Sequence, residues 1–327
     1  MSNKRTSKKA KLPRRTKLIL LLLVLICIAV LLNYPFHYFM HQTAEFNIIK
    51  NGSFTVENNS DPNEESDFEN LSSNPLAIPA NEFKKINVNS SDVANGDLIL
   101  VNKDHPFTGS TQNFTSFEDD SNLNHCFYVS TYRMQFQKEI SSHLKDLTHD
   151  YISNFEKADI FIANTTNTQT LNQYCQDVIP ERDSGYCIDF ILRLKNGTKQ
   201  AFGGNKNSEW ISENAWKYGF IQRYTEDKSD KTGMGEINYH FRYVGVFNAA
   251  YMHDNNLCLE EYLDMIRPYS YEDPLICQYN EKNYEIYFTA ESNTDITEVM
   301  VPKGYSNSDY VISGNNTDGF ITVVAIK

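Results

Sequence analysis

The chain has 327 residues, with 30 Lys and Arg against 42 Asp and Glu, and 40% of its residues are hydrophobic. This length allows one sizeable domain with appendages, or two small domains. Twenty Tyr and twenty Phe supply enough apolar bulk for a packed core, which excludes a wholly disordered chain. The formal charge of -12 argues against a nucleic-acid partner, because such proteins usually present a basic surface.

The N-terminus combines a basic head with an apolar run. Residues 1–40 contain eight Lys and Arg and no acidic residue, which leaves 22 basic residues against 42 acidic ones elsewhere. The apolar run extends from Leu18 to Leu32, and aromatic residues prolong it to Phe39. The pattern predicts a single-pass membrane anchor over 18–39, with 1–17 in the cytoplasm and the main domain outside. A cleaved signal peptide is the alternative, but no A-x-A-like site follows the run.

After the apolar run, a polar segment is followed by segments whose apolar residues recur at regular spacing. Residues 40–82 are polar and acidic, which predicts a flexible stalk. Period-2 and continuous apolar runs then predict strands at 98–102 and 160–163. Apolar residues at helical spacing predict helices over 131–157 and 171–178.

The sequence of the second half of the chain predicts a similar mixture of helices and strands. A β-rich run at 186–194 is followed by the hairpin-turn signal Asn196-Gly197. A helix over 210–218 should end at Gly219, and a strand should follow at 220–224. A strand at 240–245, a helix at 258–266 and alternating β runs over 284–326 complete the chain. Helices and strands without regular βαβ alternation predict an α+β class with a mixed, mostly antiparallel sheet.

Six cysteines lie at positions 27, 126, 175, 187, 258 and 277. Outside a cell membrane, the pairs Cys175/Cys187 and Cys258/Cys277 are close enough in sequence to form disulfides. Buried free thiols are the alternative interpretation. The spacing contains no CxxC pair that would indicate a structural zinc site.

Four segments together resemble the VanY-type D-alanyl-D-alanine carboxypeptidases, over about residues 85 to 270. They are Gly96-Asp-Leu-Ile-Leu-Val-Asn-Lys-Asp-His-Pro, Glu213-Asn-Ala-Trp-Lys-Tyr-Gly-Phe-Ile-Gln-Arg-Tyr, His240-Phe-Arg-Tyr-Val-Gly and Cys258-Leu-Glu-Glu-Tyr-Leu. The resemblance implies a zinc D,D-peptidase-like domain over 83–280, with a small C-terminal β extension over 281–327. It also implies action on peptidoglycan stem peptides outside the membrane.

The resemblance implies a zinc site whose residues this chain only partly retains. The family pattern is S-x-H-x-x-G-x-A-x-D followed by E-x-W-H. Aligned on Gly185, it assigns Asp189 and His240 to two of the three metal-ligand positions. Arg182 stands at the third ligand position, and a guanidinium has no free lone pair for zinc. We expect Arg182 to pair with Asp189 instead.

The general-base position is also altered, because Ile237 stands where the family has its catalytic Glu. Glu236, one residue earlier, is a candidate replacement if the loop bulges, although neighbouring residues of a strand normally face opposite sides. Ser184 and Tyr239 are candidate substrate-binding residues. The resulting hypothesis is a membrane-anchored, non-catalytic homologue that binds zinc weakly or not at all and recognises a cell-wall peptide or a cell-envelope protein. The alternative is an active zinc D,D-carboxypeptidase that releases terminal D-Ala.

Overall fold

The computed structural model describes residues 46–48, 76–123, 127–155, 160–166, 171–194 and 196–327. The α-helices in these residues are α1 (Ile140–Phe155), α2 (Lys206–Asn214), α3 (Ser229–Thr232), α4 (Val246–Asp254) and α5 (Leu259–Ile266). The first ten strands are β1 (Phe46–Ile48), β2 (Phe83–Asn89), β3 (Phe114–Ser116), β4 (Tyr128–Val129), β5 (Gln135–Gln137), β6 (Ile160–Asn164), β7 (Cys187–Arg193), β8 (Lys199–Gln200), β9 (Phe220–Gln222) and β10 (His240–Tyr243). The remaining strands are β11 (Leu275–Tyr279), β12 (Lys282–Ala290), β13 (Ile296–Pro302), β14 (Tyr310–Gly314) and β15 (Gly319–Ala325).

The central sheet has the order β4-β6-β7-β10-β9, and β8 pairs with β7 as a hairpin. The β4–β6 pair is parallel and the other pairs are antiparallel, so the sheet is mixed and mostly antiparallel. On α1, the buried side chains recur at the helical spacing Ile140, Leu144, Leu147. They belong to one hydrophobic cluster with Ile162 of β6 and Phe241 of β10. This packing fixes the strands that carry the candidate site.

A second sheet, with the order β1-β11-β12-β15-β14, is wholly antiparallel. Strands β12, β14 and β15 lie within the segment 281–327 for which the sequence predicted β structure, and their sheet also includes β11, which begins at Leu275. Strand β13 leaves this sheet and pairs with β2 over its whole length, from Ile296↔Asn89 to Pro302↔Phe83. The C-terminal strands are thus hydrogen-bonded to residues at the start of the domain.

Residues 98–101 differ from their prediction. Their side chains are buried, but they form no strand. Their backbone groups bond elsewhere: Leu98 N donates to Ser313 Oγ at 2.9 Å, Leu100 N donates to Asn315 O at 3.0 Å, and Arg242 Nη2 donates to Ile99 O at 3.2 Å. These bonds satisfy the backbone of a buried apolar segment without pairing it to a strand in a sheet.

Two helix predictions also need correction. The helix predicted over 131–157 begins only at Ile140, and part of its predicted N-terminal portion forms β5. The helix predicted at 171–178 is wrong, since 171–179 contains one turn and otherwise no regular element. The predicted helix at 210–218 is confirmed as α2 plus a 3-10 turn, and it ends at Gly219 in the left-handed conformation, with φ +89.

The four cysteines for which the sequence suggested two disulfides are all free and buried. The disulfide interpretation of Cys175/Cys187 and Cys258/Cys277 is therefore wrong, and the alternative of buried thiols is correct. The anchor predicted over 18–39 lies outside the described residues. Among the residues that the structure does describe, no helix has both the length and the apolar character needed to cross a bilayer.

Candidate functional site

The candidate site lies where β7 and β10 run side by side. His240 and Asp189 are directly opposite each other in the antiparallel register, so both side chains project from the same face of the sheet. A 3-10 turn over Pro180–Ser184 precedes β7 and ends at Gly185, whose φ is +73. A Cβ at Gly185 would lie 2.6 Å from the Phe114 ring, so the close approach also requires glycine.

Arg182 forms the predicted ion pair with Asp189. Its Nη2 lies 2.7 Å from Asp189 Oδ2, and its Nε lies 3.0 Å from the same oxygen. On the other carboxylate oxygen, His240 Nδ1 lies 2.6 Å from Asp189 Oδ1. Asn164 Nδ2 donates a further hydrogen bond to Oδ2 at 2.8 Å. Both oxygens of this carboxylate are therefore engaged by protein groups.

Glu181, which the sequence analysis did not single out, occupies the other side of the histidine ring. His240 Nε2 lies 3.0 Å from Glu181 Oε1. Glu181 Oε2 accepts from Arg223 Nε at 3.1 Å and contacts Arg242 Nη1 at 3.5 Å. Arg223 also makes a two-pronged ion pair with Glu260, at 2.9 and 2.8 Å.

These seven residues form a buried charge network, a term used below for Glu181, Arg182, Asp189, Arg223, His240, Arg242 and Glu260. All but Glu260 have side chains that are at most 2% exposed. Burial of charges costs free energy unless each charge has a partner, and here every charge has one. Removing one partner would therefore leave a buried charge unpaired.

The pKa values follow these contacts. Burial alone would raise the pKa of Glu181, but Arg223, His240 and Arg242 lower it well below its usual range. Burial alone would lower the pKa of His240, but Cys187, Asp189 and Glu181 around the ring raise it well above its ordinary value. Both shifts favour the charged forms, as the ion pairs require.

A catalytic zinc does not fit the positions inherited from the family pattern. The Arg182 guanidinium stands at one ligand position and already occupies Asp189, and His240 uses both ring nitrogens on carboxylates. A catalytic zinc needs three ligands and an open position for water. Because Asp189 and His240 are at most 1% exposed, the structure has no such open position at these residues.

A different donor set, Glu181, Cys187 and His240, has ligand atoms within 4.8 Å of one another. All three side chains are fully buried, and Glu181 is already paired with Arg223 and Arg242. Such an enclosed set resembles a structural metal site more than a catalytic one. The donors are present, but no solvent-accessible position adjoins them.

The other residues predicted for the site are Glu236, Ser184 and Tyr239. Glu236 is exposed in the connection between α3 and β10, whereas the neighbouring Ile237 is 6% exposed and belongs to the core cluster. The geometry therefore gives no support to Glu236 as a general base. Ser184 is fully buried, and its hydroxyl donates to Glu181 O at 2.6 Å. The Tyr239 hydroxyl is paired with the Asp177 carboxylate.

Comparisons with known proteins agree with the fold. The family model for VanY, D-alanyl-D-alanine carboxypeptidase, matches residues 110–246. A D-alanyl-D-alanine carboxypeptidase of Enterococcus faecium is 29% identical over 278 residues, which cover 80% of this chain and 87% of the relative. A second one, from Enterococcus faecalis, is 44% identical over 61 residues, or 19% of this chain and 23% of its own.

A solved structure of the vancomycin-resistance D,D-dipeptidase VanXYg, in complex with a D-Ala-D-Ala phosphinate analogue, shares the fold. It superposes with a TM-score of 0.61 at 23% identity, over 74% of this chain and 99% of that one. The mixed α+β, sheet-rich domain is thus similar to zinc D,D-peptidases. The family-model match and the curated relatives show that residues 110–246 are similar to the VanY D-alanyl-D-alanine carboxypeptidases.

Proposed function

We propose that this chain is a carboxypeptidase-like protein that acts at peptidoglycan by recognising cell-wall peptide, or a cell-envelope partner, without hydrolysis. The Arg182–Asp189 ion pair carries the proposal, since it puts a permanent cation where the family needs a neutral zinc ligand. Ile237 supports it, because an alkyl side chain cannot take a proton from water. A positioned general base typically contributes about 100- to 10,000-fold to a rate.

The proposed location is outside the cell membrane, with residues 18–39 as the anchor and 1–17 in the cytoplasm. The basic head before Leu18 and the acidic remainder of the chain support this orientation. Protease added to intact cells should remove the domain. Protection of the whole chain would contradict this orientation, and a mature N-terminus beyond residue 35 would contradict the anchor.

The decisive experiment measures zinc content and D-Ala release from a stem pentapeptide with the full-length protein. We expect no stoichiometric zinc, and a rate that equals that of the chelator-treated control. The matched variant Arg182→His with Ile237→Glu restores a third ligand and a carboxylate, so it should gain zinc. Zinc-dependent D-Ala release by the unmodified protein would overturn the proposal.

A second candidate, an active zinc D,D-carboxypeptidase, depends on the donor set of Glu181, Cys187 and His240, which would have to open to solvent before it could serve catalysis. If this set binds the metal, Cys187→Ser should abolish both zinc content and D-Ala release, whereas Cys277→Ser, at a buried thiol of the second sheet, should change neither. If Glu236 is the base, Glu236→Ala should abolish release and leave zinc content unchanged.

A further inference from the structure

Residues 76–79, called the docked segment below, precede β2 and contact the second sheet. They form no helix or strand. The backbone N–H of Ile78 donates to Glu285 Oε1 on β12. The Ile78 side chain packs against a buried cluster of three residues, Phe83, Tyr287 and Val324. A carboxyl group and an apolar contact therefore join Ile78 to the sheet.

Glu285 lies in apolar surroundings. Its cross-strand neighbours are Ile276 on β11 and Val324 on β15, and all three residues are at most 2% exposed. Its Oε2 has no hydrogen-bond partner among the described residues. Ionising a buried carboxyl group without a cationic partner costs free energy, and this burial raises the pKa of Glu285 to about 7.

The groups around this carboxyl supply no charge that pairs with it. The ionisable residues packed into the cluster are tyrosines, which carry no charge near neutral pH: Tyr271, Tyr287, Tyr305 and Tyr310. The charged side chains beside these tyrosines and beside the docked segment bind other groups: Lys85 with Glu298, Lys327 with Asp309, Glu272 with Tyr271 and Lys303 with Asn81 O. Among the described residues, the bond from Ile78 is the one hydrogen bond of Glu285.

Water reaches an ionised Glu285 most readily when the docked segment moves. Strand β12 is held on both sides by antiparallel pairing, with β11 and with β15. The docked segment has no such ladder, and parts of a fold with few buried contacts and few backbone bonds open at the lowest free energy. The Ile78 N–H favours the ionised carboxylate, but burial outweighs it. Ionisation therefore favours an opening that hydrates Glu285.

We infer that the docked segment is a pH-dependent closure of the second sheet, bound to it when Glu285 is neutral and released from it when Glu285 ionises. Release hydrates the carboxylate and uncovers the buried cluster of Phe83, Tyr287 and Val324. The inference concerns the second sheet, so it depends neither on zinc and hydrolysis nor on the buried charge network.

The size of the effect follows from linkage between proton binding and opening. A hydrated Glu has a pKa of 4.5, and the folded protein holds Glu285 at a pKa of about 7. The ratio of released to bound segment therefore rises with pH between these values. Full hydration of the carboxylate would raise this ratio at most about 300-fold, because each pKa unit corresponds to a factor of ten.

Hydrogen–deuterium exchange of the full-length protein tests the inference at the Ile78 amide. Mass spectrometry with fragmentation to single residues measures the exchange. The rate is expressed as a protection factor, because the chemical exchange rate itself rises with pH. Protection of Ile78 should fall at least about tenfold from pH 5 to 8. At each pH it should also stay below that of the β12 amides, because the segment opens without unfolding of the sheet.

Variants test whether Glu285 is the responsible group. Glu285→Gln keeps an acceptor for the Ile78 N–H and removes the titration, so Ile78 protection should become independent of pH in this range. Glu298→Gln, at a side chain that is 56% exposed, is the matched control and should keep the wild-type pH profile.

Three results would overturn the inference. They are Ile78 protection that does not change with pH in the unmodified protein, Ile78 protection equal to that of β12, and a wild-type pH profile in Glu285→Gln. The first two are measured on the unmodified protein, so the test stands even if the glutamine variant does not fold.

Discussion

Glu181 beside the central sheet and Glu285 in the second sheet are both fully buried, but their surroundings differ. Glu181 faces His240, Arg223 and Arg242. Glu285 accepts one hydrogen bond from the backbone N–H of Ile78, and its Oε2 has no partner among the described residues. The comparison shows that burial alone does not determine the charge of a carboxyl group, since the partners decide it.

The two groups therefore contribute to stability with opposite dependence on pH. The lowered pKa of Glu181 contributes stability that is present above the unfolded value of 4.5 and is lost as the pH falls. For Glu285, burial raises the pKa to about 7, against an unfolded value of 4.5. The folded protein favours its neutral form, so stability falls as the pH rises from about 4.5 to 7. Burial and Glu139 likewise raise the pKa of Asp97 to about 7.

The largest effect should follow from opening the buried charge network. Arg182→Met leaves the buried Asp189 without its guanidinium, and we expect the free energy of unfolding to fall by about 3–5 kcal/mol. Urea unfolding of the full-length protein measures this change. Lys85→Met is the matched control, because it breaks an ion pair with Glu298 whose side chains are 63% and 56% exposed. That change should cost much less than Arg182→Met, because water already solvates and screens an exposed ion pair.

Equal, small losses in the two variants would show that water reaches Asp189 and that the network is not truly enclosed. A second control distinguishes lost pairing from lost packing. The double change Arg182→Met with Asp189→Leu removes both charges, so it should recover part of the stability that Arg182→Met loses. No recovery would mean that the packing of the arginine stem, rather than its charge, stabilises this region.

A smaller effect should follow from the unpaired carboxyl group in the second sheet. Glu285→Gln keeps the shape and removes the titration, so the variant should lose less stability than the wild type between pH 4.5 and 7. The difference should be at most about 3 kcal/mol. Unfolding free energies measured across this pH range provide the test.

In Glu285→Gln, the slope of the unfolding free energy against pH should decrease without vanishing, because Asp97 titrates in the same direction. Glu298→Gln, at an exposed glutamate, is the control and should leave the slope unchanged. An unchanged slope in Glu285→Gln would mean that Glu285 is ionised in the folded protein, which would require a partner for its Oε2.

Local sequence motifs predicted the part of the site that depends on local geometry. The family pattern, anchored on Gly185 and Asp189, put Arg182 at a ligand position from which it could pair with Asp189, and the structure contains this ion pair. Strands were also predicted at 160–163 and 240–245, and the structure has β6 at Ile160–Asn164 and β10 at His240–Tyr243.

The rest depends on contacts between distant parts of the chain. Arg223 and Arg242 reach Glu181 across 42 and 61 positions, and no short motif encodes that convergence. The helix predicted at 171–178 fails for a related reason. The carbonyl of Cys175 accepts from Arg182 Nη2 and Asn164 Nδ2, so tertiary bonds replace helical ones.

The smallest expected effect concerns local opening in two regions, the buried charge network and the second sheet. Cys175, beside the buried charge network, and Cys277, on β11, are both 0% exposed. Burial and Asp189 raise the pKa of Cys175, and burial raises that of Cys277 to about 12, so neither thiol should react with iodoacetamide without local opening. Arg182→Lys keeps the charge but loses the fork that binds Asp189, so it should accelerate labelling of Cys175 a few-fold more than that of Cys277.

Peptide mass spectrometry after timed labelling resolves the two sites, with Lys85→Arg as the control that accelerates neither. Equal acceleration at both thiols would show that the two sheets open as one cooperative unit, and the contrast between Glu181 and Glu285 would then not extend to local stability.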